Sequence, residues 1–340
     1  MNLLKNKAVQ YTILAFVVAL IPLLLDINRS TLTLWNMVII YAIIAIGFNI
    51  LLGYAGQISL GHAAFMGLGA YIAANLTGNL ELPFLLSLVL SGLIPMVIGL
   101  ILGLVALRLE GHYLAIATLG FGVAIQQVFK EWTAFTNGFS GVRADNPVIF
   151  GLEISEREHY FILGMIILLL LVLFAHYLLK SKTGRALLAM RDSEHAAQAM
   201  GVSLFKYKLI AFAASAFYAG IAGGLFMHLI RFTEPNAWGI TLSLNLLAMV
   251  VIGGLATIGG SIIGAGFIVM VPEFIKDIEF LASIKSFATI FTGFAMIFVI
   301  MFFPHGIARI GTQIKIALLN RRNSRVDKGK GGAPNGRSKG

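Results

Sequence analysis

The sequence predicts an all-α polytopic membrane protein with about ten transmembrane helices, eight at the fewest, and Gly-rich interrupted segments in both halves. Three observations carry that expectation. Of 340 residues, 58% are hydrophobic and only 12% are charged, with a mean hydropathy of +0.89, outside what a soluble surface of this size carries. Long apolar stretches free of Asp, Glu, Lys and Arg recur along the chain. Two clusters of glycine interrupt such stretches in corresponding places of the two halves.

The strong spans are Ala8–Leu25, Leu34–Leu52, Leu82–Leu107, Tyr160–Leu179, Leu209–Ile230 and Ala282–Phe303. An apolar run of roughly 18 residues crosses a hydrocarbon core about 30 Å thick, and each of these suffices. Ile58–Ala74 and Tyr113–Val128 are weaker because they are rich in Gly and Ala, while Leu242–Ile252 and Ile258–Val271 are short. These four read as spans or re-entrant segments. The first apolar run, behind Lys5 and Lys7, resembles a signal peptide in outline, but no small-residue cleavage site follows Leu25, so it reads as an uncleaved helix.

Loop charge sets the orientation, because Lys and Arg collect in short cytoplasmic loops. The basic regions are the N-terminus, the loop Lys180–Lys208 and the tail beyond Arg309. Ten spans place all three on one side, and both termini are expected to be cytoplasmic. Loop 130–159 then lies outside, and it is acidic, with Glu131, Asp145, Glu153, Glu156 and Glu158 against Lys130, Arg143 and Arg157. The division is therefore a membrane domain over 1–307, with a cytoplasmic loop 181–208 and an external loop 130–159, and a basic tail 308–340 expected to be disordered. Most of the net charge of +10 belongs to the tail, where residues 309–340 hold nine Lys and Arg against Asp327 alone. The tail carries no aromatic platform on which bases stack, so nucleic acid is not an expected partner and a lipid surface is.

The glycine clusters are Gly53–Gly69, which includes Gly53, Gly56, Gln57, Ser59, Gly61 and His62, and Gly253–Gly266, which includes Gly253, Gly254, Gly259 and Gly260. Each follows an apolar segment with a single asparagine, Asn49 or Asn245. Backbone that leaves helical geometry at membrane depth is tolerated where it is packed in protein or lines an aqueous cavity. The clusters are therefore expected to flank a pathway, while small residues that let helices approach closely give the same pattern. His62 is read as a satisfied packing residue rather than a proton relay.

Loop 181–208 is the other informative segment. The run Arg185–Met200 is rich in helix formers, with an apolar stripe from Leu187 to Met200, and Gly201 is a natural stop. A short charged helix held between rigid spans suits docking of a soluble partner, and it also suits resting on an anionic leaflet.

Catalytic chemistry is not expected. The carboxylates lie in loops, neither HExxH nor GxSxG occurs, and the chain has no cysteine. The only P-loop-like string, Gly331–Ser338, has Arg337 for the lysine and lacks the preceding strand and following helix that cradle phosphate. No cofactor or metal is expected in the chain. A carrier driven by an ion gradient would need embedded charges, which the strong spans lack, so passive conduction or external power remain.

The tract Gly53–Gly69, the run Gly111–Gly122, the loop Gly184–Phe212 and the tract Leu246–Gly266 together resemble the LivM type of branched-chain amino acid ABC transporter permease, over roughly residues 35–307. The segment Thr136–Val142 also resembles an external loop of that family, with Phe139 where a smaller or polar residue is more usual. The resemblance implies import of Leu, Ile and Val across the bacterial inner membrane, driven by ATP-Mg on separate subunits. The implied partners are a second permease of the LivH type, two ATPases of the LivG and LivF types, and an extracytoplasmic amino-acid-binding protein. It implies that Arg185, Arg191, Asp192, Glu194, Ala197 and Gly201 meet an ATPase, and that Thr118 joins the glycine clusters on the pathway. A permease for urea or amides, or a passive channel or secondary transporter, is the alternative.

Overall fold

A computed structural model describes residues 7–24, 28–106, 109, 111–149, 151–276, 293–294, 297–298, 301 and 306–309. The expected span Ala282–Phe303 and the tail 308–340 lie, apart from a few of these positions, outside the described residues.

The first half comprises α1 (Lys7–Leu24), α2 (Arg29–Asn49), a π-helical turn Ile50–Tyr54, α3 (His62–Gly78), α4 (Phe84–Ala106), α5 (His112–Glu131) and the single turn α6 (Thr133–Thr136). Short strands follow, β1 (Val142–Arg143), β2 (Val148–Ile149) and β3 (Leu152–Glu153). The second half comprises α7 (Arg157–Lys180), α8 (Lys182–Asp192), α9 (Glu194–Ala199), α10 (Leu204–Ile230), β4 (Phe232–Thr233), α11 (Ile240–Gly253) and α12 (Ile258–Lys276). Six helical segments among the described residues are long and apolar enough to cross a membrane: 29–54, 84–104, 112–131, 157–180, 204–230 and 258–275. At 17 and 14 residues, α3 and α11 are shorter, and each adjoins a glycine cluster. The described spans thus establish an all-α membrane protein without reaching a count of ten.

Two helices form the centre. Within their most apolar windows α2 is 72% buried and α10 is 67% buried, against 17% for α5. The density of small residues in α10 explains its place. A Cβ at Gly220 would run into the backbone of Ser91 on α4, and one at Gly223 into the backbone of Met66 on α3. Only backbones that approach this closely leave no room for a side chain, which is how small residues hold transmembrane helices together where apolar attraction between them is weak. On its other flank α2 packs against α7 and α12.

The bundle has two distinct ends. Chain direction puts loop 181–208 at the end of α7 and the start of α10, and puts β1 to β4 at the other ends of those helices. At the strand face β1 pairs antiparallel with β4, Val142 opposite Thr233, and β2 with β3. Tyr11 on α1 meets His176 near the end of α7, their rings 5.8 Å apart, so the amino-terminal end of α1 shares the face of loop 181–208.

Candidate functional site

The single helix expected over Arg185–Met200 is two. Ser193 is extended (φ −163°, ψ 113°) and its Oγ accepts from the amide of Ala196 at 3.2 Å, so it caps α9 and breaks the run after Asp192. Ser181 caps α8 in the same way through Thr183. An N-cap hydroxyl satisfies an amide that the first helical turn leaves bare, which outweighs the helix propensity of the neighbours. At the far end Gly201 has φ +81°, its amide donates to Gln198 O, and that of Val202 to Ala197 O, both at 3.0 Å. This is a Schellman ending, which favours glycine at the left-handed position.

Each helix turns one side inward. Leu187, Met190 and Ala197 are buried, whereas Arg185, Asp192 and Gly201 are exposed. Arg191 and Glu194 reach back into the bundle. The Arg191 Nη1 donates to Gly53 O at 3.1 Å, while its Nε and Nη2 hold Asp192 Oδ1. Glu194 Oε1 accepts from Gln57 Nε2 at 3.1 Å, and Oε2 from Lys208 Nζ at 2.7 Å. The Lys208 side chain is 4% exposed, so this ion pair is anchored in the protein rather than in water.

Gly53 lies in the π-helical turn, where Ala55 N donates to Ile50 O at 3.1 Å. Such turns inside α-helices arise where a local intrusion displaces the regular ladder. Here the intrusion is the second glycine cluster. A Cβ on Gly53 would sit 2.5 Å from Ala256 N and would overlap the Asn49 amide. Asn49 is the joint itself. Its Nδ2 donates to Thr257 O (3.0 Å), Ser261 Oγ (2.8 Å) and Gly254 O (3.4 Å), and its Oδ1 accepts from Ala256 N at 2.9 Å. The two clusters therefore meet across more than 200 residues of sequence, beside α8 and α9.

The remaining expected pathway residues divide. Gly253 and Gly260 interlock in the turn between α11 and α12, where a Cβ on either meets the other's backbone, and Gly254 takes φ +118° there. Gly56, at φ +70°, is exposed and lies against Arg191. Ser59 and His62 form a second buried group. The imidazole Nδ1 meets Ser59 Oγ at 3.0 Å, its Nε2 meets Ser215 Oγ, and Phe48 stacks on the ring at 4.1 Å. Thr118 Oγ1 accepts from Leu60 N at 3.0 Å beside Gly61. Gly259 lies among Thr257, Gly260 and Ser261 of the joint but has open space over its Cα, and half-buried Asn245 lies outside both groups. The sequence marks Thr257 as a polar residue beside the second glycine cluster, whereas Lys208, Ser261 and Ser215 were passed over as site residues. Polar side chains at helix ends and inside spans were the available signal.

α5 stands out among the spans. It is the least buried of the six yet carries Gln126 and Gln127, and Ile116, Gly120, Val123 and Ala124 lie along its open side. Gln126 Nε2 donates to Pro235 O at 3.3 Å, which ties this helix to the turn before α11.

The sequence model of a family described as branched-chain amino acid transport system / permease component matches residues 30–300. The high-affinity branched-chain amino acid transport system permease protein LivM of Salmonella typhimurium is 32% identical over 305 residues, which cover 83% of this chain and 70% of that protein. Its namesake in Escherichia coli (strain K12) is 31% identical over 320 residues, 86% of this chain and 74% of the relative. The ribose import permease protein RbsC of Haemophilus influenzae is 29% identical over 226 residues, 64% and 67% of the two chains. No solved structure matches the chain.

Proposed function

Since the chain belongs to the family of branched-chain amino acid transport permease components, we propose that it is one permease subunit of an ATP-driven importer of Leu, Ile and Val. It is a multi-pass membrane permease, and the family works with ATPase and binding-protein subunits. In the proposed assembly a second permease of the LivH type faces this one, ATPases of the LivG and LivF types grip α8 and α9 from the cytoplasm, and ATP-Mg is bound there and not in this chain. The face of loop 181–208 is then cytoplasmic, in a bacterial inner membrane, and a binding protein delivers its cargo at the strand face.

One observation carries the reading: an unbroken line of hydrogen bonds and close contacts joins α8 and α9 to both glycine clusters. It runs from Arg191 to Gly53 O, and from Gly53 through Asn49 to Thr257 and Ser261. Glu194 adds a second line, through Gln57 on one side and Lys208 on the other. A displacement imposed on α8 and α9 is thus delivered to the π-helical turn, which stores a local irregularity able to rearrange. Nucleotide supplies the bias, because a ligand shifts an equilibrium only by its difference in affinity for the two states. Met200 at 85% and Phe205 at 55% exposure offer apolar contacts beside the charged residues of the loop, which suits a protein partner.

The open side of α5 supports the pathway's place. Gln126 and Gln127 each donate within the chain, to Pro235 O and to Glu131 Oε1, and a facing subunit with water between supplies partners for their remaining polar atoms where hydrocarbon does not. In this reading the buried clusters at Asn49 and His62 are the hinge of the pathway wall. The test is reconstitution of the assembled transporter in liposomes with leucine-loaded binding protein. ATP hydrolysis and leucine uptake should rise together, and conduction by the lone chain without nucleotide would support a channel instead.

A further inference from the structure

The strand face holds a polar cavity of about 470 Å³, within the size range of small-molecule sites (roughly 300–1,000 Å³). Asn75, Asn79, Asn137, Ser140 and Arg143 line it together with an apolar strip that includes Phe135 and Val142. The amides are oriented by their own bonds. Asn75 Nδ2 donates to Tyr71 O (2.8 Å) and Phe135 O (2.9 Å), Asn79 Nδ2 donates to Asn75 Oδ1 (2.8 Å), and Asn137 Nδ2 donates to Gly141 O (3.0 Å). With their donors so engaged, Asn79 and Asn137 present carbonyl oxygens that receive no hydrogen bond from the described residues. Arg143 is exposed, on β1, and takes part in none of the ion pairs of the described residues. The loop is held in shape as well: Thr136 Oγ1 donates to Phe129 O and accepts from Gly138 N, and Asn137 sits at φ +56°.

A lone guanidinium, fixed amide acceptors and an apolar strip match one chemical class. We propose that this cavity binds the free zwitterion of a branched apolar amino acid, with its carboxylate on Arg143, its ammonium on the carbonyls of Asn79 and Asn137, and its side chain on Phe135 and Val142. The assignment rests on the amino-acid reading above and adds a receiving site in the permease itself. Behind the apolar strip lie the buried hydroxyl of Tyr71, whose backbone carbonyl holds Asn75, the indole N–H of Trp238 that it faces, and the buried hydroxyl of Thr233, paired with Val142, which has no hydrogen-bond partner among the described residues. A polar head group moving inward would find partners there instead of hydrocarbon.

Saturation-transfer NMR on the full chain tests the site with three probes: L-leucine, 4-methylpentanoate without the ammonium, and isopentylamine without the carboxylate. Leucine should give a saturable signal, with each single-charge analogue weaker by about tenfold, the scale of one charge-assisted hydrogen bond. Arg143→Gln should weaken leucine and 4-methylpentanoate while sparing isopentylamine, and Asn79→Leu should do the reverse for the two analogues. Absence of saturable leucine binding, or leucine binding unchanged in Arg143→Gln, overturns the site. So does an Arg143→Gln variant that binds leucine normally and loses only capture of the binding protein, since Arg143 would then be a docking contact. Uptake by the assembled transporter separates the two readings: leucine import without leucine binding in this cavity removes the site and leaves the importer.

Discussion

The guanidinium of Arg191 holds the carbonyl of Gly53 at 3.1 Å, binding the second half of the chain to the π-helical turn of the first. Because the acceptor is a backbone carbonyl, the bond reports the position of the turn and not the identity of a side chain. Gly56 completes the seat, since its left-handed backbone runs within van der Waals reach of the Arg191 stem.

Two glycines separate close packing from open space. Gly53→Ala places a methyl against Asn49 and the amide of Ala256, and should cost about 1–3 kcal/mol, the usual effect of overpacking. Gly259→Ala has nothing within 4 Å and should be neutral or slightly stabilising for a helical position. Thermal unfolding in detergent compares the two.

Asn49→Leu removes four hydrogen bonds at once and strands the Ala256 amide. A loss of about 1–3 kcal/mol is expected for one buried group left unsatisfied. Thermal unfolding in detergent should show that loss as a lowered midpoint relative to the unsubstituted chain.

Glu194→Lys sets a second cation beside Lys208, whose side chain is 4% exposed. Uptake should fall while membrane insertion is retained, and adding Lys208→Glu should recover part of it. A double-mutant cycle on uptake gives the coupling, and additive effects would show that the pair does not act as a unit.

At Gly201 the left-handed backbone costs an alanine about 1 kcal/mol, and the open space around it adds nothing. Gly201→Ala should therefore transport nearly normally. Gly201→Pro removes the amide that donates to Gln198 and cannot reach φ +81°, so it should uncouple ATP hydrolysis from uptake. Hydrolysis and uptake measured side by side distinguish them.

Much of this was legible in sequence. Charge-free apolar runs fixed helices such as 157–180 and 204–230, and glycine spacing located both interruptions. The break at Ser193 was less so: a serine after Asp192 is a capping signal, but Ala, Leu, Met and Gln around it argue for one continuous helix. The meeting of Asn49 with Thr257 and Ser261 was not legible, because backbone groups and hydroxyls carry it across more than 200 residues and leave no periodic trace. The pairing of Lys208 was hidden for a related reason. A lysine in a basic loop reads as a solvated charge until a carboxylate is brought to it.

The most direct measurement is leucine imported per ATP hydrolysed in liposomes carrying the assembled transporter with Arg191→Met. If α8 and α9 act through Gly53, hydrolysis should continue while import per ATP drops about tenfold, the effect of losing one hydrogen bond from a charged donor. An unchanged ratio at normal expression would contradict the account, because force would then be reaching the pathway by another route.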